Sequence, residues 1–253
     1  MQKAFSLVEL SIVLVILGLL TGGILAGQSL IRAAELRAVA AEFQRFSSSA
    51  LAFRDKYFAL PGDMNNATRF WGDNNTACPD GAIPNGTPGT CNGNGNGQIN
   101  YTGVANGTSE DTQFWNHLAL AGMIEGSYTG LLNASAGTTY PAAAPLSKLS
   151  NGGWYANSVF NYPGDAFAYA LDYGNHLMLN TSGAGNPLRP EEAWNLDTKI
   201  DDGKPAMGSV IARFWNNDCA AADDGSHANN DYQASYRLTD STLRCMLYFR
   251  KIF

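Results

Sequence analysis

The chain has 253 residues, a formal net charge of −6, only 15% charged residues and 27 glycines. Beyond a hydrophobic N-terminal stretch, this length leaves enough for one medium-sized domain and does not call for two. The acidic balance argues against nucleic-acid binding, which needs a basic patch, and the sparse charge with Gly- and Asn-rich stretches suits an extracytoplasmic, loop-rich domain.

Residues 4–20 read Ala-Phe-Ser-Leu-Val-Glu-Leu-Ser-Ile-Val-Leu-Val-Ile-Leu-Gly-Leu-Leu, and Glu9 is the only charge between Lys3 and Arg32. From Leu10 to Ile31 the chain is uncharged; as a helix this run reaches roughly 33 Å, enough to cross a bilayer. A carboxylate costs about 2.5–3.5 kcal/mol at the centre of a membrane helix and less near its edge, so Glu9 calls for a compensating partner. A secretory signal peptide, with an exit at Ile24-Leu25-Ala26, fits poorly. Its apolar core would begin with a glutamate and exceed the usual ~7–15 residues. The run also passes without a loop into a charged helical pattern. A plain anchor explains the length but not Glu9.

Ala4-Phe5-Ser6-Leu7-Val8-Glu9-Leu10 resembles the processing site of type IV prepilins and type II secretion pseudopilins. In that family a short basic leader is cut before a phenylalanine, the new amino terminus is methylated, and a glutamate four residues on is retained. The resemblance implies a leader of residues 1–4, a mature N-terminus at Phe5, and an assembly role for Glu9. Where the family usually has glycine before the cut, this chain has Ala4. A free amino terminus is mostly cationic at neutral pH, so Glu9 of one subunit would face the Phe5 ammonium of a neighbour. Within one chain the alternative is a contact between Phe5 and Glu9, one helical turn apart. The resemblance also implies a prepilin peptidase, other copies or related pilins, and an inner-membrane assembly machinery as partners. It places the precursor as a single-pass protein of the bacterial inner membrane with a periplasmic domain, later part of a periplasmic or cell-surface filament.

The helix should continue beyond the apolar run. Leu36, Val39, Phe43, Phe46, Ala50, Phe53 and Tyr57 are spaced alternately by three and four, a single apolar stripe, with Arg37, Glu42, Arg45 and Arg54 off it. Leu60-Pro61-Gly62-Asp63 ends the pattern. One helix is therefore expected from residue 5 to 58, with a membrane-spanning segment at about 10–31 and a one-faced second half. Residues 59–253 form the globular domain. Gly18, Gly22, Gly23 and Gly27 permit close helix approach; Gly22-Gly23 is a candidate for local melting on assembly.

After an irregular region to about residue 106, a second helix is expected over 110–121, ending at Gly122. Residues 134–153 read as loose. Strands are expected at 166–171 and 176–180, joined by a turn at Asp172–Asn175, and again at 209–215 and 243–253. A short helix begins at Pro190, with Glu191 and Glu192 in its first turn. The sum is an α+β plan, a long N-terminal helix packed on an antiparallel sheet, which the family resemblance also implies. Pro-Gly-Asp at 61–63 and 163–165 is turn chemistry.

Cys78, Cys91, Cys219 and Cys245 permit three pairings. Local pairing, Cys78–Cys91 and Cys219–Cys245, is expected because each bond would staple a loop with little other means of order. The second also matches a pilin-type C-terminal disulfide loop. Asn92-Gly93-Asn94-Gly95-Asn96-Gly97-Gln98 resembles the first half of an EF-hand loop. Asn92, Asn94 and Asn96 would offer side-chain oxygens, Gln98 its backbone carbonyl, and Glu110 or Asp111 a carboxylate from across the loop. The missing charge leaves two readings open, a calcium loop or a Gly/Asn turn; no other cofactor is indicated. Asp197, Asp201 and Asp202 read first as a helix end and turn, second as a metal group. No nucleophile elbow, phosphate loop or zinc-binding His-Glu pair is present, so no enzyme is expected. The expected function is a structural subunit of a type IV pilus or pseudopilus; the length, above that of typical major pilins, points to a minor or tip subunit. The alternatives are a secreted enzyme or binding protein with an unusual signal peptide, and a DNA-uptake or adhesive pilin.

Overall fold

The computed structural model describes residues 7–72, 90–101, 109–130, 141–159, 169–181, 185–214, 219–221 and 232–250. One helix, α1, runs unbroken over Leu7–Tyr57. A short helix, α2 (Thr68–Trp71), and α3 (Glu110–Leu120) follow. Then come β1 (Gly153–Val159), β2 (Gly174–Asn180), α4 (Pro190–Ile200), β3 (Val210–Phe214), β4 (Ala220–Ala221), β5 (Ser235–Tyr236) and β6 (Cys245–Arg250). The main sheet is fully antiparallel in the order β1-β2-β6-β3, and β4 pairs with β5 in a separate ribbon. The last strand enters between β2 and β3, so the C-terminal run is buried on both faces. This is the α+β layout expected from the sequence.

The stripe on α1 does what its spacing implies. Val39, Phe46, Ala50 and Phe53 are buried, and Leu36, Phe43 and Tyr57 pack against the same core. Phe43 stacks on Phe249 of β6 at 4.6 Å, and Phe46 meets Trp115 of α3 and Trp154 of β1 edge-on. Each such side chain, fully buried, contributes about 1.5–3 kcal/mol. The helix ends at Phe58 in the left-handed region (φ 53°), whose N–H still bonds to Arg54 O. The Leu60–Asp63 turn follows.

Two parts of the sheet differ from expectation. Tyr169–Leu171 is not a strand, and 166–168 lies outside the described residues. The apolar run there reads as strand, but the edge of β2 it would need is taken by Gly153–Val159 in full register. That strand carries Gly, Asn and Ser, which conceal its pattern. The Asp172 turn is present: its Oδ1 accepts from Gly174 N at 2.9 Å. The expected turn at 163–165 lies outside the described residues. Cys219–Cys245 is a disulfide, tying the β4–β5 ribbon to the central strand. Cys91 is disulfide-bonded; Cys78 lies outside the described residues.

Glu42 corrects the sequence reading more sharply. It was placed off the apolar stripe, yet it is buried. Its carboxylate accepts from Ser147 Oγ (2.6 Å), Lys148 N (2.8 Å) and Trp154 Nε1 (2.9 Å). A buried charge is tolerated when donors surround it, and here the donors come from the sheet side. Arg32, at the end of the uncharged run, makes the second polar tie: its Nε and Nη2 fork onto Glu192 of α4 at 2.6 and 2.7 Å, and Nη2 also reaches Pro187 O. A bidentate guanidinium–carboxylate pair fixes direction as well as distance.

Glu42→Ala leaves three donors without their acceptor. Only the Trp154 donor is fully buried; leaving it unsatisfied costs about 1–3 kcal/mol, and the part-buried Ser147 and Lys148 donors turn partly to water, so denaturation of the detergent-solubilised chain should show a loss of about 2–4 kcal/mol. Glu42→Gln should recover part of it. An unchanged midpoint for Glu42→Ala would mean that the tie contributes nothing.

Candidate functional site

Two regions carry candidate chemistry, and they lie at different places on α1. The first is the helix's N-terminal half. Its best apolar 18-residue window is 0% buried, and by length and composition it can cross a membrane. Leu14, Leu19 and Leu30 are 62%, 73% and 71% exposed. The domain covers none of Leu7–Leu25; its packing begins farther along the helix. The hydroxyls of this half among the described residues are satisfied within the helix: Ser11 Oγ donates to Val8 O, Thr21 Oγ1 to Leu17 O and Ser29 Oγ to Ala26 O, each at 2.9 Å. Internal satisfaction is what an apolar surrounding demands of a backbone and its hydroxyls. A Cβ at Gly18, Gly22, Gly23 or Gly27 would meet nothing in this chain. The helix is continuous through all four. Glu9 lies exposed in the first turn, where the helix dipole favours an acid. Ala4 and Phe5, and with them any Phe5–Glu9 contact, lie outside the described residues.

The second region is the asparagine loop at the opposite end of the helix. It docks onto the Leu60–Asp63 turn and the start of α3. Gly62 has φ +85°, and a Cβ there would strike the Glu110 carbonyl. Gly93 lies equally close to the backbone of Asp63. Only glycine permits either approach. Gly93 N donates to Met64 O at 2.8 Å and Gly95 N to Asp63 O at 3.0 Å.

His117 joins these segments from below. Gly62 N donates to His117 Nδ1 (2.9 Å), which places the ring proton on Nε2, 3.1 Å from Cys91 O. The ring packs between Phe53 and Trp71. Burial pushes its pKa down to about 4, so it is a neutral two-sided connector.

The loop's order comes from two carboxylates. Asp63 accepts from Asn96 N (3.0 Å) and Gly97 N (2.8 Å); Glu110 accepts from Asn94 N (2.8 Å) and Asn100 N (2.9 Å). Asp63 is itself buried, and burial raises its pKa against the pull of those N–H groups. The asparagine side chains are engaged too. Asn94 Oδ1 accepts from Asn96 N, Asn96 Oδ1 from Gln98 N, and Asn92 Oδ1 from Thr68 N. A calcium cage needs oxygens, several of them charged, directed at one point. Here the Asp63 and Glu110 carboxylates each accept two backbone N–H groups of the loop. Glu110 meets the loop as an acceptor for its amides. Asp111 is buried, and burial raises its pKa to about 6.

Asp197, Asp201 and Asp202 lie together at the end of α4. Asp197 accepts from Tyr236 OH (2.7 Å) and Gly203 N (3.1 Å), and burial raises its pKa to about 7. Asp201 accepts from Ser209 N and Val210 N, and Asp202 from Lys204 N. Each carboxylate accepts backbone N–H groups of the turns after α4, and one oxygen of each lies within 4.8 Å of the others, the spacing that the metal reading requires. Sequence reasoning missed Asp63, His117, Arg32 and Glu42 as connectors. The one available signal was Asp63 beside the Pro-Gly turn; the others depend on long-range neighbours.

Residues 1–25 match the family model described as the prokaryotic N-terminal methylation motif. No curated protein and no solved structure matches the chain.

Amide exchange separates the two accounts of the loop. Asp63→Ala should speed exchange at Asn96 and Gly97, and Glu110→Ala at Asn94 and Asn100, by tenfold or more per lost bond of about 1.5–3 kcal/mol. Wild-type protection should be the same in calcium and in chelator. A calcium-dependent change at those amides would place an ion among Asn92, Asn94 and Asn96.

Proposed function

We propose that this chain, whose first 25 residues carry the signal motif of type IV pilins and pseudopilins, is a structural subunit of a type IV pilus or type II secretion pseudopilus. The observation that carries this reading is the asymmetry of α1. Its second half is anchored in the domain by Glu42, Arg32 and the aromatic stripe. Its first half is apolar all round and uncovered. A helix of that kind needs lipid in the precursor and other helices in a filament.

Prepilin peptidase would remove residues 1–4 and leave Phe5 as a methylated terminus. The leader stays cytoplasmic and the domain, with its disulfides, faces an oxidising compartment. Glu9 then meets the terminal ammonium of a neighbouring subunit once residues 7–31 leave the bilayer. Pairing in apolar surroundings offsets desolvation only with good geometry, so the pair selects register. The chain's length supports a minor or tip position.

Mass spectrometry of the mature protein decides the processing step. The expected N-terminus is N-methylated Phe5; a start near Gly27 would make the helix a discarded signal and end the proposal. Glu9→Ala should insert normally but reduce filament yield at least tenfold, the effect of about 1.4 kcal/mol per subunit contact. Wild-type yield from that variant would remove Glu9 from assembly.

A further inference from the structure

At the foot of the domain an open groove of about 740 Å³ runs between α1 and the start of α4, lined among others by Leu25, Gln28, Arg32, Leu36, Arg189 and Glu191. Leu25 to Leu36 spans about 16 Å along the helix. The last uncharged residue, Ile31, falls near the middle of that span. The headgroup layer adds about 5–8 Å to each side of a bilayer's hydrocarbon core. With residues 10–31 in the membrane, the lower part of the groove therefore faces acyl chains and the upper part faces headgroups.

The charges in the upper part differ in availability. Arg32 is committed to Glu192, Glu35 and Pro187 O. Arg189 and Glu191 are exposed, and neither forms an ion pair among the described residues. They stand two residues apart with opposite sign. A simple anion would be drawn to Arg189 but repelled by Glu191 and Glu192, and a simple cation the reverse. A headgroup with a phosphate followed by a primary ammonium answers both. Below them, Leu25 is 68% exposed; Leu36, one turn beyond Arg32 on α1, lines the top of the groove. The corresponding helix half of a second copy has no charge from Leu10 to Ile31 with which to meet Arg189 and Glu191.

We propose that this groove holds one zwitterionic phospholipid of the ethanolamine type, phosphate on Arg189, ammonium on Glu191 and one acyl chain along Leu25. The proposal rests on the membrane-spanning reading of residues 10–31. It would seat the domain at a fixed height on the bilayer before assembly, and the lipid would have to leave when the helix is extracted.

The full chain, reconstituted in nanodiscs and released for native mass spectrometry, tests this with phosphatidylethanolamine, phosphatidylcholine and phosphatidylglycerol as probes. The ethanolamine lipid should be retained about fivefold over the other two, the effect of about 1 kcal/mol from one exposed charge contact. Choline offers no N–H to Glu191, and glycerol offers no cation. Arg189→Gln should lower retention of all three lipids, since each carries the phosphate. Glu191→Gln should lower only the ethanolamine lipid and bring it to parity with the other two. Equal retention of all three lipids, or an ethanolamine preference surviving both substitutions, overturns the proposal. So does a dimer whose formation depends on Arg189 and Glu191, since the groove would then be a contact between copies. Failure of the chain to enter nanodiscs would instead remove the membrane reading itself; insertion without headgroup preference removes only the lipid site.

Discussion

A single unbroken helix in two environments is the constraint from which the remaining structure follows. Over Leu7–Tyr57 the backbone makes no concession to the change in surroundings. What changes is which side chains have partners. Past Leu36 the aromatic stripe is buried by the sheet and α3; before Leu25 none of the described residues covers the helix. The helix is continuous from the half that the domain grips to the half that it leaves uncovered.

The grip is polar as well as apolar, and the polar part sets the register. Packing alone would tolerate small shifts of α1 along the sheet, because apolar contact is non-directional. The Glu42 carboxylate, held by three donors from the Ser147–Trp154 segment, and the Arg32 fork onto Glu192 have no such freedom. They lie on α1 about 15 Å apart, one within the core and one at its lower edge. At the upper end His117, Asp63 and Glu110 tie the turn after the helix to the asparagine loop and α3. Loops rich in Gly and Asn thus acquire order from buried acceptors supplied by other segments.

The helix and its division into two halves were legible because both rest on local pattern, a 3.6-residue stripe following an uncharged run. The helices at Glu110 and Pro190 were legible from their first turns, and β2, β3 and β6 from apolar runs. The strand Gly153–Val159 was not, because its Gly, Asn and Ser resemble a loop until β2 pairs with it. The expected strand through Tyr169–Leu171 failed for the complementary reason: its apolar run is genuine, but the position beside β2 is already filled. Glu42 lies off the apolar stripe, and a carboxylate on a helix is normally exposed; only the donors more than a hundred residues away make its burial sensible. The asparagine loop drew attention for its oxygens, whereas its amides and the two distant carboxylates organise it. Long-range polar partners are what a single sequence conceals most completely.

The central claim is that α1 changes surroundings near Arg32 while remaining one helix. Aqueous maleimide labelling of single cysteine replacements from position 12 to position 37, with the chain in membranes, tests it most directly. The account predicts protection up to Ile31 and free reaction at exposed Arg37. Labelling that is uniform along these positions would contradict it.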